Sequence, residues 1–381
     1  MDTAEIRELF PILNKRAYMF SGGIAPVSIL HEAAMSRHMD WLSNDPDDLF
    51  VNGLDADASD CRRMFAQLMG CDEDEVAVVD STSAGSNIAI DLINPVAGGN
   101  VVFDDFSYPS SVFPWHLWPH QDLARRFVRA RDGIMHLEDF EAAIDEQTVA
   151  VSISHVTAME GFKQDIGALA RIAHAKGALL VVDGAQSAGA MHIDLHETDV
   201  DFFSTTAMKW LLGAAGVGFL YVARRFHDRL PSRAGYAGAH SFDIHDFRLK
   251  DDARRFELGM PNLMGLAFTK AGLAILLDTD MGMVESHNLD LSDTCIAGMK
   301  QRGMNVVTPE AAQYRLGVIA AIHEDAQGLW RYLHDRGVDT FFHGNLFRVD
   351  PHVFNNHDDI DRFLDGLDGY NCSRGYRTEQ S

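Results

Sequence analysis

Two residues near the middle of this sequence have the types and the spacing to do chemistry on a carbonyl compound. Asp183 ends an apolar run that begins at 178, and Lys209, one of only seven lysines, follows a second apolar run at 200–204. Both runs are typical of β-strands, and open α/β sheets bind their ligands beyond the carboxyl ends of the strands. An amine among apolar neighbours has a lowered pKa and can attack a carbonyl carbon. We therefore predict that Lys209 is a nucleophile with Asp183 beside it.

Asp183 has a buried setting that demands a partner. A carboxylate at the end of an apolar strand is costly unless it meets a cation or hydrogen-bond donors. Opposite a protonated pyridine nitrogen it would hold the ring of a cofactor as an electron sink, with Gln186 close by. A helix N-cap or an ordinary salt bridge is the alternative interpretation.

Two further motifs follow predicted strands. Ser81-Thr82-Ser83-Ala84-Gly85 offers hydroxyls and backbone N–H groups at a strand-to-helix turn, which suits a phosphate, although Ser and Thr are also ordinary N-caps. Tyr108 could stack on a cofactor ring or simply pack in the core.

Arg348 lies inside the apolar run at 346–349 of the C-terminal part. A guanidinium there could clamp a substrate carboxylate through two parallel hydrogen bonds. It could equally pair with one of the neighbouring aspartates.

These residues require a sheet whose strands end at one edge. From 76 to 222, short apolar runs alternate with helix-like segments, which predicts βαβ units and a mostly parallel sheet. We expect an α/β fold with a large domain at 15–262, a smaller α+β domain formed by 1–14 and 263–367 that includes a connecting helix at 263–285, and a polar tail at 368–381.

The composition argues against several classes of protein. The net charge of −24 repels phosphate backbones and anionic lipids, so we expect neither a nucleic-acid nor a membrane partner. The four cysteines lack zinc-ligand spacing, and we expect no metal. There is no signal-peptide pattern and no apolar run near the roughly 20 residues of a membrane span, so a cytoplasmic protein is expected.

The central motif resembles a known family. Val181-Val-Asp-Gly-Ala-Gln-Ser-Ala-Gly189 and Lys209-Trp-Leu-Leu-Gly-Ala-Ala-Gly-Val-Gly218 are similar to the signature of class V aminotransferase-fold enzymes, which use pyridoxal 5′-phosphate (PLP). That family includes cysteine desulfurases, selenocysteine lyases, isopenicillin N epimerase-like proteins and kynureninases. The resemblance covers most of the chain, and it implies PLP-dependent transferase fold type I and a homodimer.

The resemblance also implies a role for each candidate residue. Lys209 would form the Schiff base with PLP, Asp183 would face the pyridine nitrogen, and Gln186 would bind the ring hydroxyl. The phosphate would be held by Thr82, Ser83 and Thr206, while Tyr108 would lie on the ring face and Arg348 would receive a substrate carboxylate.

Some positions depart from the family pattern. Met208 replaces the histidine that usually precedes the lysine, Ala158 replaces a usual asparagine, and Met260 replaces a usual threonine. No cysteine lies between Gly337 and Arg348, where desulfurases need one, so persulfide chemistry is not expected.

The sequence leaves several reactions open. We favour an aminotransferase-type or β-eliminating enzyme that acts on a small amino acid. The alternatives are an amino-acid epimerase, a C–S or selenocysteine lyase, and a protein that binds PLP without catalysis.

Overall fold

The structure is a computed structural model that describes residues 1–49, 51, 54–117 and 119–374. Its strands are β1 (Ala17–Tyr18), β2 (Val76–Val79), β3 (Asn100–Asp104), β4 (Ala124–Val128), β5 (Thr148–Ser154), β6 (Leu179–Asp183), β7 (Phe202–Thr206), β8 (Gly218–Val222), β9 (Asn305–Val306), β10 (Ile319–Ile322), β11 (Val338–Asp339), β12 (Phe341–His343) and β13 (Leu346–Val349). Its α-helices are α1 (Thr3–Glu8), α2 (Ile29–Asn44), α3 (Pro46–Asp48), α4 (Leu54–Met69), α5 (Thr82–Asp91), α6 (Pro109–Val112), α7 (Leu137–Ala143), α8 (Ile166–His174), α9 (Leu195–Thr198), α10 (Leu263–Leu277), α11 (Met281–Gln301), α12 (Ala326–His334) and α13 (His357–Ser373).

Seven of the described strands form one large sheet in the order β2-β8-β7-β6-β5-β3-β4. Strand β8 runs antiparallel to both of its neighbours, and the other pairs are parallel. Every residue of β5 and β7 is buried, as expected for strands that are covered by helices on both faces. The predicted α/β class with a mostly parallel sheet is confirmed. Strands β2, β5, β6 and β7 point the same way, so their carboxyl ends meet at one edge.

A smaller sheet follows in the C-terminal part, in the order β12-β13-β10-β9, with antiparallel pairs throughout. Strand β1 pairs with β11 in parallel beside it. A second apolar core includes Ala17 and Met19 as well as the buried faces of α11, α12 and α13. Leu266 and Leu273 of α10 instead join the core of the large sheet. The domain limits given above stay a prediction.

Two predicted helix boundaries are wrong. The connecting helix at 263–285 is divided into α10 and α11, because the Asp280 side chain accepts a hydrogen bond from the backbone N–H of Met283 and starts a new helix. The last helix continues past 367 to Ser373, since Tyr370 packs in the second core. Residues 368–373 of the predicted tail are therefore helical, residues 375–381 lie outside the described ranges, and the tail itself stays a prediction.

None of the helices within the described ranges combines the length and the apolar character needed to cross a membrane.

Candidate active site

The predicted lysine and aspartate face one cavity of about 160 Å³ at the carboxyl edge of the large sheet. Asp183 is the last residue of β6, and Lys209 lies in the connection from β7 to β8. Strand β8 must return antiparallel, so this connection folds back over the sheet edge. Seven of the eight candidate residues line the cavity, namely Thr82, Ser83, Tyr108, Asp183, Gln186, Thr206 and Lys209. Arg348 is not part of the lining.

The backbone of the segment 207–213, which we call the lysine turn, is held from outside the cavity. The Met208 carbonyl accepts a hydrogen bond from the backbone N–H of Ala25 at 2.7 Å. The Trp210 carbonyl lies 2.9 Å from His352 Nε2, and the Leu212 carbonyl lies 2.8 Å from His31 Nε2. Leu212 itself has a left-handed backbone with φ of 58°. A strained residue persists where its surroundings fix the backbone, so the position of Lys209 is set by these contacts.

Lys209 has the environment of a reactive amine. Burial lowers the pKa of its ammonium group, and the nearby charge of Asp183 partly opposes that shift. Its Nζ lies 5.9 Å from the centre of the Tyr108 ring and makes no hydrogen bond to another described residue. The neutral amine is therefore more accessible than in an exposed lysine, as nucleophilic attack on a carbonyl requires.

Asp183 is buried and incompletely compensated. Its two oxygens accept hydrogen bonds from the Ala185 backbone N–H at 2.9 Å and from the Ser110 hydroxyl at 2.8 Å. Burial nevertheless raises the pKa of this carboxyl, and only the charge of Lys209 and the two hydrogen bonds work against the shift. A cation placed against Asp183 would remove this cost.

The start of α5 borders the opposite end of the cavity. Ser81 is the N-cap, and its hydroxyl accepts a hydrogen bond from the Ala84 backbone N–H at 3.1 Å. The hydroxyl of Thr82 is buried and has no hydrogen-bond partner among the described residues. Gly85 lies against β7, where an added Cβ would be 2.2 Å from the Ser204 hydroxyl. A helix N-terminus with an unused hydroxyl suits an anion such as phosphate.

Gln186 is anchored by both ends of its amide. Its Nε2 donates to the Gly22 carbonyl at 3.0 Å, and its Oε1 accepts from the indole Nε1 of Trp210 at 2.7 Å. One N–H of the amide remains for a ligand. Tyr108 is fixed only through its backbone N–H, which donates to the Ser154 hydroxyl, and the residue is 43% exposed.

Arg348 pairs with a neighbouring aspartate, which was the second of the two roles that the sequence allowed. Its Nε donates to Oδ2 of Asp350 at 3.0 Å, its Nη2 forms an ion pair with the same oxygen at 2.8 Å, and its Nη1 donates to the Ala158 carbonyl. The guanidinium also lies over the ring of Phe341, 4.6 Å from its centre. Ala158 lines the cavity, so Arg348 is adjacent to the site, and its role toward a substrate stays a prediction.

Sequence reasoning missed Ser110 and Asp350. Ser110 was part of the motif after β3, but nothing in its type distinguished it from its neighbour Ser111. Asp350 follows Arg348 by two residues, and side chains two apart in a strand share a face. That spacing was a usable signal for the pair.

The residues present fit PLP. Asp183 offers a buried carboxylate to a pyridinium, Thr82 and the start of α5 offer donors to a phosphate, and Lys209 offers an amine to the aldehyde. Met208, in the position of the usual histidine, lines the cavity, and none of the four cysteines does so.

Comparisons with known proteins agree with the geometry. The sequence model of the aminotransferase class-V family matches residues 50–339. An uncharacterized aminotransferase YcbU of Bacillus subtilis is 28% identical, over 95% of this chain and 96% of that protein. A kynureninase of Deinococcus radiodurans is 31% identical, over 80% of this chain and 75% of its own.

A solved structure confirms the predicted fold type I. The cysteine desulfurase of Thermococcus onnurineus NA1 superposes with a TM-score of 0.85 at 21% identity, covering 97% of this chain and 98% of the other.

Proposed function

This chain belongs to the aminotransferase class V family, and from that premise we propose that it transfers protons at the carbon that bears the amino group of a small amino acid or amino-acid derivative. It is a PLP-dependent enzyme, since members of this family use that cofactor. Transamination and β-elimination are the two outcomes that we propose. The observation that carries the proposal is that Lys209 and Asp183 face one cavity from two adjacent strand ends.

Lys209 has two tasks in this scheme. As a neutral amine it would hold the cofactor through its aldehyde, and with a substrate amine in its place the same Nζ would accept the proton from the substrate carbon. The lowered pKa favours both tasks near neutral pH, because the amine must be unprotonated to act. The contacts to the carbonyls of the lysine turn fix the backbone that carries this side chain.

PLP, when bound, supplies a conjugated pyridine ring that accepts the electron pair left by the departing proton. Asp183 would keep the ring nitrogen protonated, and the Ser110 hydroxyl orients that carboxylate. Thr82, Ser83 and Thr206 would hold the phosphate, and Gln186 would donate its remaining N–H to the ring hydroxyl. Tyr108 would cover the ring face and exclude water from it.

The proposal includes a homodimer in the cytoplasm. Phe242, Ile244 and Phe247 lie together in one segment and are 82%, 89% and 67% exposed, which supports a contact with another chain.

The first prediction concerns Lys209. The purified protein should carry an absorbance band of PLP linked to an amine, and Lys209→Ala should abolish it, because no other described amine lines the cavity. Absorbance spectra with and without borohydride reduction, followed by mass spectrometry of the modified peptide, measure this directly.

Lys163→Ala is the matched control, since its Nζ pairs with Glu285 away from the cavity. A band that survives in Lys209→Ala would overturn the assignment. Product analysis on an amino-acid panel then separates the reactions. A keto acid without ammonia indicates transamination, and a keto acid with ammonia indicates elimination. Inversion at the α-carbon would instead favour an epimerase, and the absence of any product would favour a binding protein.

A further inference from the structure

Arg348 carries its own counter-ion. Oδ2 of Asp350 accepts a hydrogen bond from Nε of Arg348 at 3.0 Å and forms an ion pair with Nη2 at 2.8 Å. Its side chain is fully buried, and its other oxygen has no hydrogen-bond partner among the described residues. Nothing in the proposed proton transfer uses this carboxylate.

Asp350 is also held firmly in place. Its backbone N–H donates to the Met19 carbonyl at 2.9 Å, which ties it to the strand beside the small sheet. The Gly22 backbone packs against its side chain so closely that an added Cβ would lie 2.6 Å from Oδ2. The same Cβ would lie 3.0 Å from Oε1 of Gln186. The acid therefore lies behind Gln186, which lines the cavity, and the Gly22 backbone packs against it on one side.

The pair changes what Arg348 can recognise. A guanidinium has five N–H groups, and hydrogen bonds to Asp350 and to the Ala158 carbonyl take two of them, while Nη2 is held 2.8 Å from the same carboxylate. A ligand carboxylate that approached the remaining N–H groups would meet a pair with no net charge. Arg348 would bring such a carboxylate next to a second carboxylate, one oxygen of which has no hydrogen-bond partner among the described residues. A neutral carbonyl oxygen can accept the same N–H groups without that repulsion.

We propose that Asp350 is a specificity-determining residue that makes the site select small amines whose neighbouring carboxyl group is masked as an amide or ester, or is absent. This inference rests on the proposed function, because it concerns the substrate of the same lysine. Arg348 then serves as a donor to a neutral oxygen.

The second prediction tests this selection with matched ligands. The PLP-loaded protein is titrated with L-alanine and with L-alaninamide, and the change in the absorbance of the Lys209-linked cofactor gives a dissociation constant for each. Wild-type protein should bind the amide more tightly. Asp350→Asn should shift the ratio of the two constants toward alanine by at least about tenfold, because it removes a like charge beside the ligand.

Two variants serve as controls. Asp350→Glu retains the charge and should keep the preference for the amide. Asp339→Asn removes a different ion pair, the one between Asp339 and Arg16, which lies away from the cavity. It should leave the ratio of the two dissociation constants unchanged. If Asp350→Asn does not fold, the dissociation constants of the wild type and of Asp350→Glu test the inference. Both proteins must then bind alaninamide more tightly than alanine.

Tighter binding of alanine than of alaninamide by the wild type would overturn the inference. Loss of alanine binding in Asp350→Asn would do the same, because Asp350 would then position Arg348 for a carboxylate. Failure of the proposed function looks different, since it removes the Lys209-dependent band itself before any ligand is added.

Discussion

At the level of single residues, the site contains polar groups that the protein itself does not satisfy. Thr82 has a buried hydroxyl without a partner, and Asp183 has a carboxyl whose pKa is raised by burial. Both groups cost stability in the chain alone. Since each faces the same cavity, their cost is offset when a ligand with a phosphate and a protonated nitrogen binds.

The third prediction follows from Thr82. Thr82→Val keeps the shape of the side chain and removes only the hydroxyl. The free energy of unfolding without cofactor should stay the same or rise by up to about 1 kcal/mol. The affinity for PLP should fall roughly tenfold, because a hydrogen bond to a charged phosphate is lost. Urea unfolding and fluorescence titration with PLP measure the two quantities.

Thr279→Val is the comparison for this variant. The Thr279 hydroxyl donates to the Ile275 carbonyl at 2.8 Å, away from the cavity. That variant should lose stability and keep its affinity for PLP. A fall in stability without any loss of affinity in Thr82→Val would contradict the phosphate role.

The sequence was sufficient to find Lys209 and Asp183, because a scarce lysine and a charged strand end are unusual against an apolar background. Ser110 and Asp350 could not be found in the same way. Serines are common in turns, and Ser110 matters here because its hydroxyl donates to Asp183, which lies 73 residues further along the chain. The pairing of Arg348 with Asp350 was one of several open choices, and only the strand geometry settled it.

At the level of elements, α5 and β7 carry the phosphate end of the site. The helix packs on the strand through Gly85, and the Ser204 hydroxyl reaches back to the Thr82 carbonyl at 2.8 Å. The close approach fixes where the first turn of the helix points. The end of β6 at Asp183 was predicted to the residue, since its buried apolar run ends abruptly at a polar turn. The break between α10 and α11 was missed, because helical periodicity continues on both sides of one capping aspartate.

The fourth prediction concerns this helix-to-strand contact. Gly85→Ala should lower the free energy of unfolding by about 1–3 kcal/mol, because the added methyl group overlaps the Ser204 hydroxyl and pushes the helix outward. The affinity for PLP should fall with it, since the helix start moves. Gly167→Ala in α8 has space, with the nearest atom at 3.7 Å, and should be neutral or stabilising by up to about 1 kcal/mol. Equal effects of the two variants would contradict the packing argument.

At the level of the whole molecule, buried histidines make the stability depend on pH, and two of them, His31 and His352, contact carbonyls of the lysine turn. Burial lowers the pKa of His31 and of His352 to about 4 and that of His155 to about 3. The unfolded chain binds protons at these residues near the ordinary value of 6.5, whereas the folded chain does not. The free energy of unfolding must therefore decrease as the pH falls from about 6.5 toward 4. Such a coupling depends on burial and could not be predicted from the positions of histidines in the sequence.

The fifth prediction quantifies that coupling. Proton uptake by each of these histidines in the unfolded chain should make the free energy of unfolding about 2 kcal/mol lower at pH 5 than at pH 7. His352→Gln should be less stable than the wild type at pH 7, and the difference should shrink by about that amount at pH 5. Urea unfolding of the PLP-loaded protein at the two pH values measures it. His116 is exposed, so His116→Gln should leave the change in the free energy of unfolding between pH 7 and pH 5 as it is in the wild type. If His352→Gln lowered the free energy of unfolding equally at both pH values, burial of His352 would not be the cause of the pH dependence.

The lysine turn has a consequence for engineering. Its backbone is held through the carbonyls of Met208, Trp210 and Leu212 by groups that lie outside the cavity, while the Met208 side chain faces into it. The codon for Met208 can therefore be randomised without disturbing the neighbouring lysine. A library at this single position would sample acids, bases and apolar groups against the same substrate, which makes it an economical starting point for directed evolution of the reaction.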